Sequence, residues 1–106
     1  MGFVKVLQDS DLGPNEVKAV QADGKNVLVA NISGEYFAIG NVCTHMGCRL
    51  SNGTLTGENI ECPCHGSTFS VKSGNFVKGP ARKPEPVYQI KVEGGQILVN
   101  VQSVVV

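Results

Sequence analysis

The sequence predicts an all-β protein, and three features of it do so. Sixteen Val, five Ile and four Thr make 25 of the 106 residues β-branched, against eleven Leu and Ala together. Side chains stiff at the first torsion suit a pleated strand and lose freedom in a helix. Thirteen Gly and five Pro then punctuate the chain at short intervals. Finally, Val87 to Glu93 alternates Val87, Gln89, Lys91 and Glu93 on one face against Tyr88, Ile90 and Val92 on the other, the period of a half-buried strand. A chain of 106 residues supports one domain, residues 1–106.

Element by element, Phe3 to Leu7 reads as a short strand closed by the polar run Gln8-Asp9-Ser10-Asp11. Gly13-Pro14-Asn15 breaks the chain before a strand from Glu16 to Ala22. Asp23-Gly24 is a hairpin signal, because glycine tolerates the positive φ of a two-residue turn. Asn26 to Ile32 follows, then a second turn at Ser33-Gly34, then Glu35 to Gly40. These three strands form a meander. At the far end Gly94-Gly95 joins Val87–Glu93 to a returning strand from Gln96 to Val101. The tail through Val106 packs or extends that last strand.

The middle of the chain behaves differently. It holds all four Cys and both His, and its strand signals are brief: Leu55 alone, Ile60 to Cys62, Thr68 to Val71 and Phe76 to Lys78. It reads as a loop-rich insertion, residues 41–81, carried on a β scaffold of residues 1–40 and 82–106. Rigid sheets commonly position functional loops in this way.

Charge excludes several functions. Nine basic and nine acidic residues cancel to zero, so the surplus that a nucleic-acid binder needs to replace counterions is missing. Nothing approaches the roughly 18 consecutive apolar residues that span a bilayer. The N-terminus lacks the features of a secretory signal, which predicts a soluble, cytoplasmic protein with no membrane and no nucleic-acid partner. In such a compartment Cys beside His more often means metal than disulfide.

Six such residues fall into two short loops, Cys43-Thr44-His45-Met46-Gly47-Cys48 and Cys62-Pro63-Cys64-His65-Gly66-Ser67. A pure disulfide framework leaves both His idle. A structural zinc takes two Cys and two His, although zinc modules usually pair Cys with Cys and then His with His, and two Cys would be left over. A four-cysteine cluster of the plant type would need its third Cys at Ser51. A mixed [2Fe–2S] cluster, with two Cys on one iron and two His on the other, employs both kinds of donor.

The spacing Cys-x-His-x16-Cys-x2-His, written here as CTHMGC and CPCHGS, resembles the Rieske family motif. Gly79-Pro80-Ala81 resembles that family's cluster-covering proline loop, and VYQIKVEGGQILV its closing hairpin. The likeness extends over essentially the whole chain and is to the soluble Rieske-type ferredoxins, with the archaeal kind as one candidate. It implies three stacked antiparallel sheets with a loop-rich cluster-binding subdomain, and one [2Fe–2S] cluster per chain. Cys43, His45, Cys62 and His65 are the implied ligands, and Cys48–Cys64 the implied disulfide between the loops. Gly47 and Gly66 are expected to allow close backbone approach, with Pro80 above the cluster. Met46 and Leu50 would shield it, and Arg49, Arg82 and Lys83 are candidate docking charges.

The ligand set has electrostatic consequences. Two ferric ions, two sulfides and two thiolates sum to zero, so adding an electron is easier than at a four-thiolate cluster and the potential rises, to about −150 to +300 mV for this class. Ser67 occupies the family position of a serine that donates to a bridging sulfide; Phe69 stands where high-potential members carry a tyrosine that donates to a ligand cysteine. Phenylalanine cannot donate, which predicts an intermediate potential.

The expected function is a one-electron carrier, not an enzyme. It would pass electrons from a reductase to an acceptor such as an oxygenase or respiratory component, with partners docking near His45 and His65 and no small-molecule substrate. A ring-hydroxylating oxygenase would need a further iron site, and the chain has no third His. The alternative reading is a zinc-stabilised interaction module.

Overall fold

A computed structural model describes residues 2–42, 48–64, 66–78 and 85–105, with backbone alone for 102–105. Among the described residues there are ten strands and no α-helix. The strands are β1 Val4–Gln8, β2 Glu16–Ala22, β3 Lys25–Ile32, β4 Glu35–Gly40, β5 Thr54–Thr56, β6 Asn59–Glu61, β7 Thr68–Ser70, β8 Phe76–Lys78, β9 Val87–Glu93 and β10 Gln96–Val105. All pairings between them are antiparallel.

The tight turns fall where their dipeptides put them. Asp23-Gly24, Ser33-Gly34 and Gly94-Gly95 each have positive φ at both central residues: 50° and 79°, 52° and 96°, and 56° and 77°. This conformation matches the twist of the flanking strands. The first two turns join β2 to β3 and β3 to β4, and the third joins β9 to β10. The polar run after β1 closes as a 3₁₀ turn at Asp9–Asp11, where the Gln8 N–H donates to Asp11 Oδ2 at 3.0 Å. The valine tail extends the last strand. β10 continues to Val105 after a register shift between Asn100 and Val104, pairing Val104 with Tyr88 and Val105 with Val87.

Hydrogen bonding makes two sheets of these strands, where the family likeness implies three. One has the order β1-β10-β9-β4-β3-β2 and the other β5-β6-β7-β8. The difference lies in a single seam. Only Ala38↔Tyr88 and Ile39↔Val87 pair β4 with β9, so the larger sheet is two three-stranded sets stitched edge to edge. With the four-stranded sheet, three antiparallel sets are present.

β3 is buried on both faces and therefore divides the interior in two. Leu28 and Ala30 point into a cluster with Ile39, Leu50, Ile60, Cys62, Phe69 and Val71, between the large sheet and the small one. Val27 and Val29 alternate into a second cluster with Leu12, Ala22, Ala38, Tyr88, Ile97, Val99 and Val101. Each fully buried aliphatic or aromatic side chain contributes about 1.5–3 kcal/mol. The expected inner face of β9 holds for Tyr88, while Val92, beside the Gly94-Gly95 turn, is 41% exposed.

Tyr88 gives this interior a pH dependence. Burial first, and the Glu85 carboxylate second, raise its hydroxyl above its ordinary value near 10. The folded chain keeps the neutral phenol where the unfolded chain ionises. This contribution is complete below pH 10 and is lost as pH rises through the raised value. The denaturation midpoint of Tyr88→Phe should therefore fall less steeply above pH 10 than that of the wild type; parallel declines would contradict the assignment.

Candidate metal centre

The four-stranded sheet is drawn wholly from residues 54–78 and carries the second cysteine-histidine loop as the turn of a hairpin. β6 ends at Glu61 and β7 begins at Thr68. Between them the Cys62 N–H donates to the Ser67 carbonyl at 2.7 Å, and the Gly66 N–H donates to the Cys62 carbonyl at 3.2 Å. Gly66 closes the turn at φ +76°, a conformation an L side chain rarely adopts. The Thr68 hydroxyl donates to the Gly66 carbonyl at 3.3 Å and secures the returning strand.

This turn sorts its residues by depth. Cys62 is 2% exposed and Ser67 fully buried, whereas Pro63 and Cys64 face solvent. Phe69 lies completely buried in the apolar cluster that also contains Cys62 and Leu50. Leu50, expected to shield the cluster, is fully buried in that same packing.

The two loops are tied together by a disulfide between Cys48 and Cys64, Cα–Cα 6.5 Å. The pairing is the one the family likeness implied. Cys62 stays outside the bridge, yet its Sγ and those of Cys48 and Cys64 lie within 4.8 Å of one another. Cys43, His45, Gly47, His65 and Pro80 lie outside the described residues, as do Met46, Gly79, Ala81, Arg82 and Lys83. The donor that is described fits an iron–sulfur group, since Cys62 is a soft ligand held on a tight backbone turn within apolar packing.

Asn41, which the sequence did not single out, organises the base of the first loop. It is fully buried at the end of β4. Its N–H donates to the Asn26 carbonyl at 3.1 Å and its Nδ2 to Asn26 Oδ1 at 3.0 Å. Its carbonyl accepts from the Leu50 N–H at 2.7 Å and its Oδ1 from the Ser51 N–H at 2.8 Å. Val42 and Arg49 form an isolated bridge just inside that clasp. The available signal was a polar residue closing an apolar strand.

Gly53 holds the neighbouring turn by the absence of a side chain. A Cβ there would collide with the Glu61 carbonyl, directly before Cys62. Gly53→Ala should cost about 1–3 kcal/mol through the forced backbone shift. It would be read as a lower denaturant midpoint at unchanged slope, and an unshifted midpoint would refute the close approach.

Comparison with known proteins converges on the same chemistry. The family model described as "Rieske [2Fe-2S] domain" matches residues 2–101. The ferredoxin component of biphenyl 2,3-dioxygenase from Rhodococcus jostii (strain RHA1) is 32% identical over 103 residues, covering 97% of this chain and 96% of that one. The biphenyl dioxygenase ferredoxin subunit of Pseudomonas sp. (strain KKS102) is 36% identical over 101 residues, 94% and 93% of the two chains. Among solved structures, the ferredoxin of carbazole 1,9a-dioxygenase from Nocardioides aromaticivorans IC177 superposes with a TM-score of 0.89 at 33% identity, over 93% and 97% of the chains. These relatives lend the archaeal likeness no support, and the match to a [2Fe–2S] family lends none to the zinc-module alternative. With the disulfide-tied loops, the buried Cys62 turn and a match over residues 2–101, the chain belongs to the Rieske [2Fe-2S] domain family.

Proposed function

We propose that this protein is the ferredoxin of an oxygenase system, carrying single electrons from a reductase to a separate terminal oxygenase. It does not itself catalyse the oxygenation. The observation that carries this reading is the Cys62 turn: a buried thiol donor on a hairpin whose neighbours Pro63 and Cys64 are exposed. The names of the relatives support the choice of acceptor, since they are ferredoxin components of biphenyl and naphthalene dioxygenase systems.

Cys43 and Cys62 would hold one iron, His45 and His65 the other, within a cluster-carrying part at residues 41–81. When bound, the cluster supplies one-electron redox chemistry. The protein's part is to keep the thiol of Cys62 out of water, to hold the two loops at fixed separation through Cys48–Cys64, and to leave an exposed end for docking. Val42, 43% exposed, and the exposed Arg49, Pro63 and Cys64 lie at that end. Reductase and oxygenase would approach there, near His45 and His65. We place the carrier in the cytoplasm, where a soluble reductase can reach it.

The test is spectroscopic and then kinetic. The isolated protein should be red-brown, contain iron and acid-labile sulfide, and after dithionite give an EPR signal with average g below 2. A colourless protein would overturn the cofactor assignment. A reduced protein that cannot reduce the oxygenase component of a ring-hydroxylating dioxygenase would overturn the proposed acceptor.

A further inference from the structure

We propose that Asn41 is the positioning residue of the first ligand loop, and that its clasp keeps the loop in place when the Cys48–Cys64 bridge is open. The inference rests on the reading of Cys43 and His45 as ligands. That loop is held at two points of different chemistry. At its base, Asn41 ties β4 to Asn26 through two hydrogen bonds and closes the returning chain at Leu50 and Ser51 through two more. Farther in, Cys48 ties the loop to Cys64 on the second hairpin.

The two ties respond differently to the cell. A dithiol reductant opens the bridge by transferring two electrons and two protons, leaving two thiols and an oxidised dithiol. Cys64 is exposed, so that exchange has access from solvent. The Asn41 clasp contains only amides and carries no redox or titratable group. Asn41 is fully buried while Asn26 and Ser51 are half-buried, so losing a partner strands an Asn41 polar group away from water. Its return segment also enters the core, because Leu50 packs in the same cluster as Cys62 and Phe69. The clasp thus fixes the first loop against the second through packing as well as through the backbone, and the covalent bridge duplicates that function.

Redundant restraints predict a coupling. Iron release to a ferrous chelator would be followed in wild type, Asn41→Ala, Cys48→Ser and the double variant, all reconstituted with cluster. Each single substitution should accelerate release by about threefold, and the double by about tenfold more than the product of the two. EPR linewidth should broaden in the same order. Asn26→Asp keeps the acceptor for Asn41 and should behave as wild type, whereas Asn26→Ala removes it and should accelerate release; Asn26→Ala also replaces Asn41→Ala should the latter fail to fold.

Amide exchange on the iron-free protein decides the clasp independently of the cofactor. The Ser51 N–H should be protected in wild type and lose protection in Asn41→Ala. Rates that simply multiply, or a Ser51 amide unaffected by Asn41→Ala, would overturn the proposal. A wild-type protein without any cluster signal would instead overturn the ligand reading on which it rests.

Discussion

Cys62→Ser is expected to fold, to remain colourless and to lose its iron and acid-labile sulfide by more than about tenfold relative to wild type. The hairpin that carries Cys62 is closed by backbone groups, from the Cys62 N–H to the Ser67 carbonyl and from the Gly66 N–H to the Cys62 carbonyl, so a serine keeps both bonds. What it loses is the soft donor. A hydroxyl set among Leu50, Ile60, Phe69 and Val71 also exchanges an apolar sulfur for a polar group, which costs about 1–3 kcal/mol where no partner is found. Far-UV circular dichroism should therefore be retained while visible absorption vanishes. Cys48→Ser makes the contrast, because it removes only a bridge partner and should leave a cluster that is more labile. Equal and complete iron loss in the two variants would show that the division between ligand and bridge is wrong. Iron retained by Cys62→Ser would show the same.

The fold was legible where local chemistry decides it. Asp23-Gly24, Ser33-Gly34 and Gly94-Gly95 marked their turns because two-residue hairpins demand positive φ, and each pair adopts it. β9 was visible through its period of two. Strand ends were less legible. β6 was expected to reach Cys62 but ends at Glu61, because the Cys62 N–H already serves the turn by bonding to Ser67. β5 had only Leu55 as a signal, yet Thr54–Thr56 pairs with Asn59–Glu61. The number of sheets entered through family likeness and not from the residues themselves, since the joining of two sets into one sheet turns on two residue pairs between β4 and β9 that lie far apart in sequence.

The site shows the same division. The two loops stood out through donor type and spacing, and the Cys48–Cys64 pairing entered through family likeness, because four Cys alone allow three pairings. Asn41 escaped notice because its importance is tertiary. Nothing in a single asparagine says that it will meet Asn26 fifteen residues earlier and Ser51 ten residues later. Depth was equally silent. Pro63 and Cys64 face water while Cys62 and Ser67, one or three residues away, are buried, and this contrast follows from how the small sheet packs against β3 rather than from hydropathy.

Phe69→Tyr is expected to raise the reduction potential by on the order of 50 mV, since one hydrogen bond that strengthens by about 1 kcal/mol on reduction shifts a one-electron couple by tens of millivolts. Phe69 sits on β7, fully buried, and packs in the same cluster as Cys62. An added hydroxyl can hardly stay without a partner in such surroundings. On the proposed ligand reading the acceptor is the sulfur of a cysteine ligand, and a donor to that sulfur withdraws charge from it and so favours the reduced state. Two opposing terms are present. The core must accommodate one extra oxygen, at a cost of about 1–3 kcal/mol in stability, while the electrostatic gain applies only to the loaded protein. The variant should consequently show a lower denaturation midpoint when iron-free and a higher potential when loaded. Redox titration followed by EPR measures the second quantity. A potential that stays level, with the expected loss of stability, would mean that the hydroxyl does not donate to a cysteine ligand, and the assignment of Phe69 as a determinant of potential would fail.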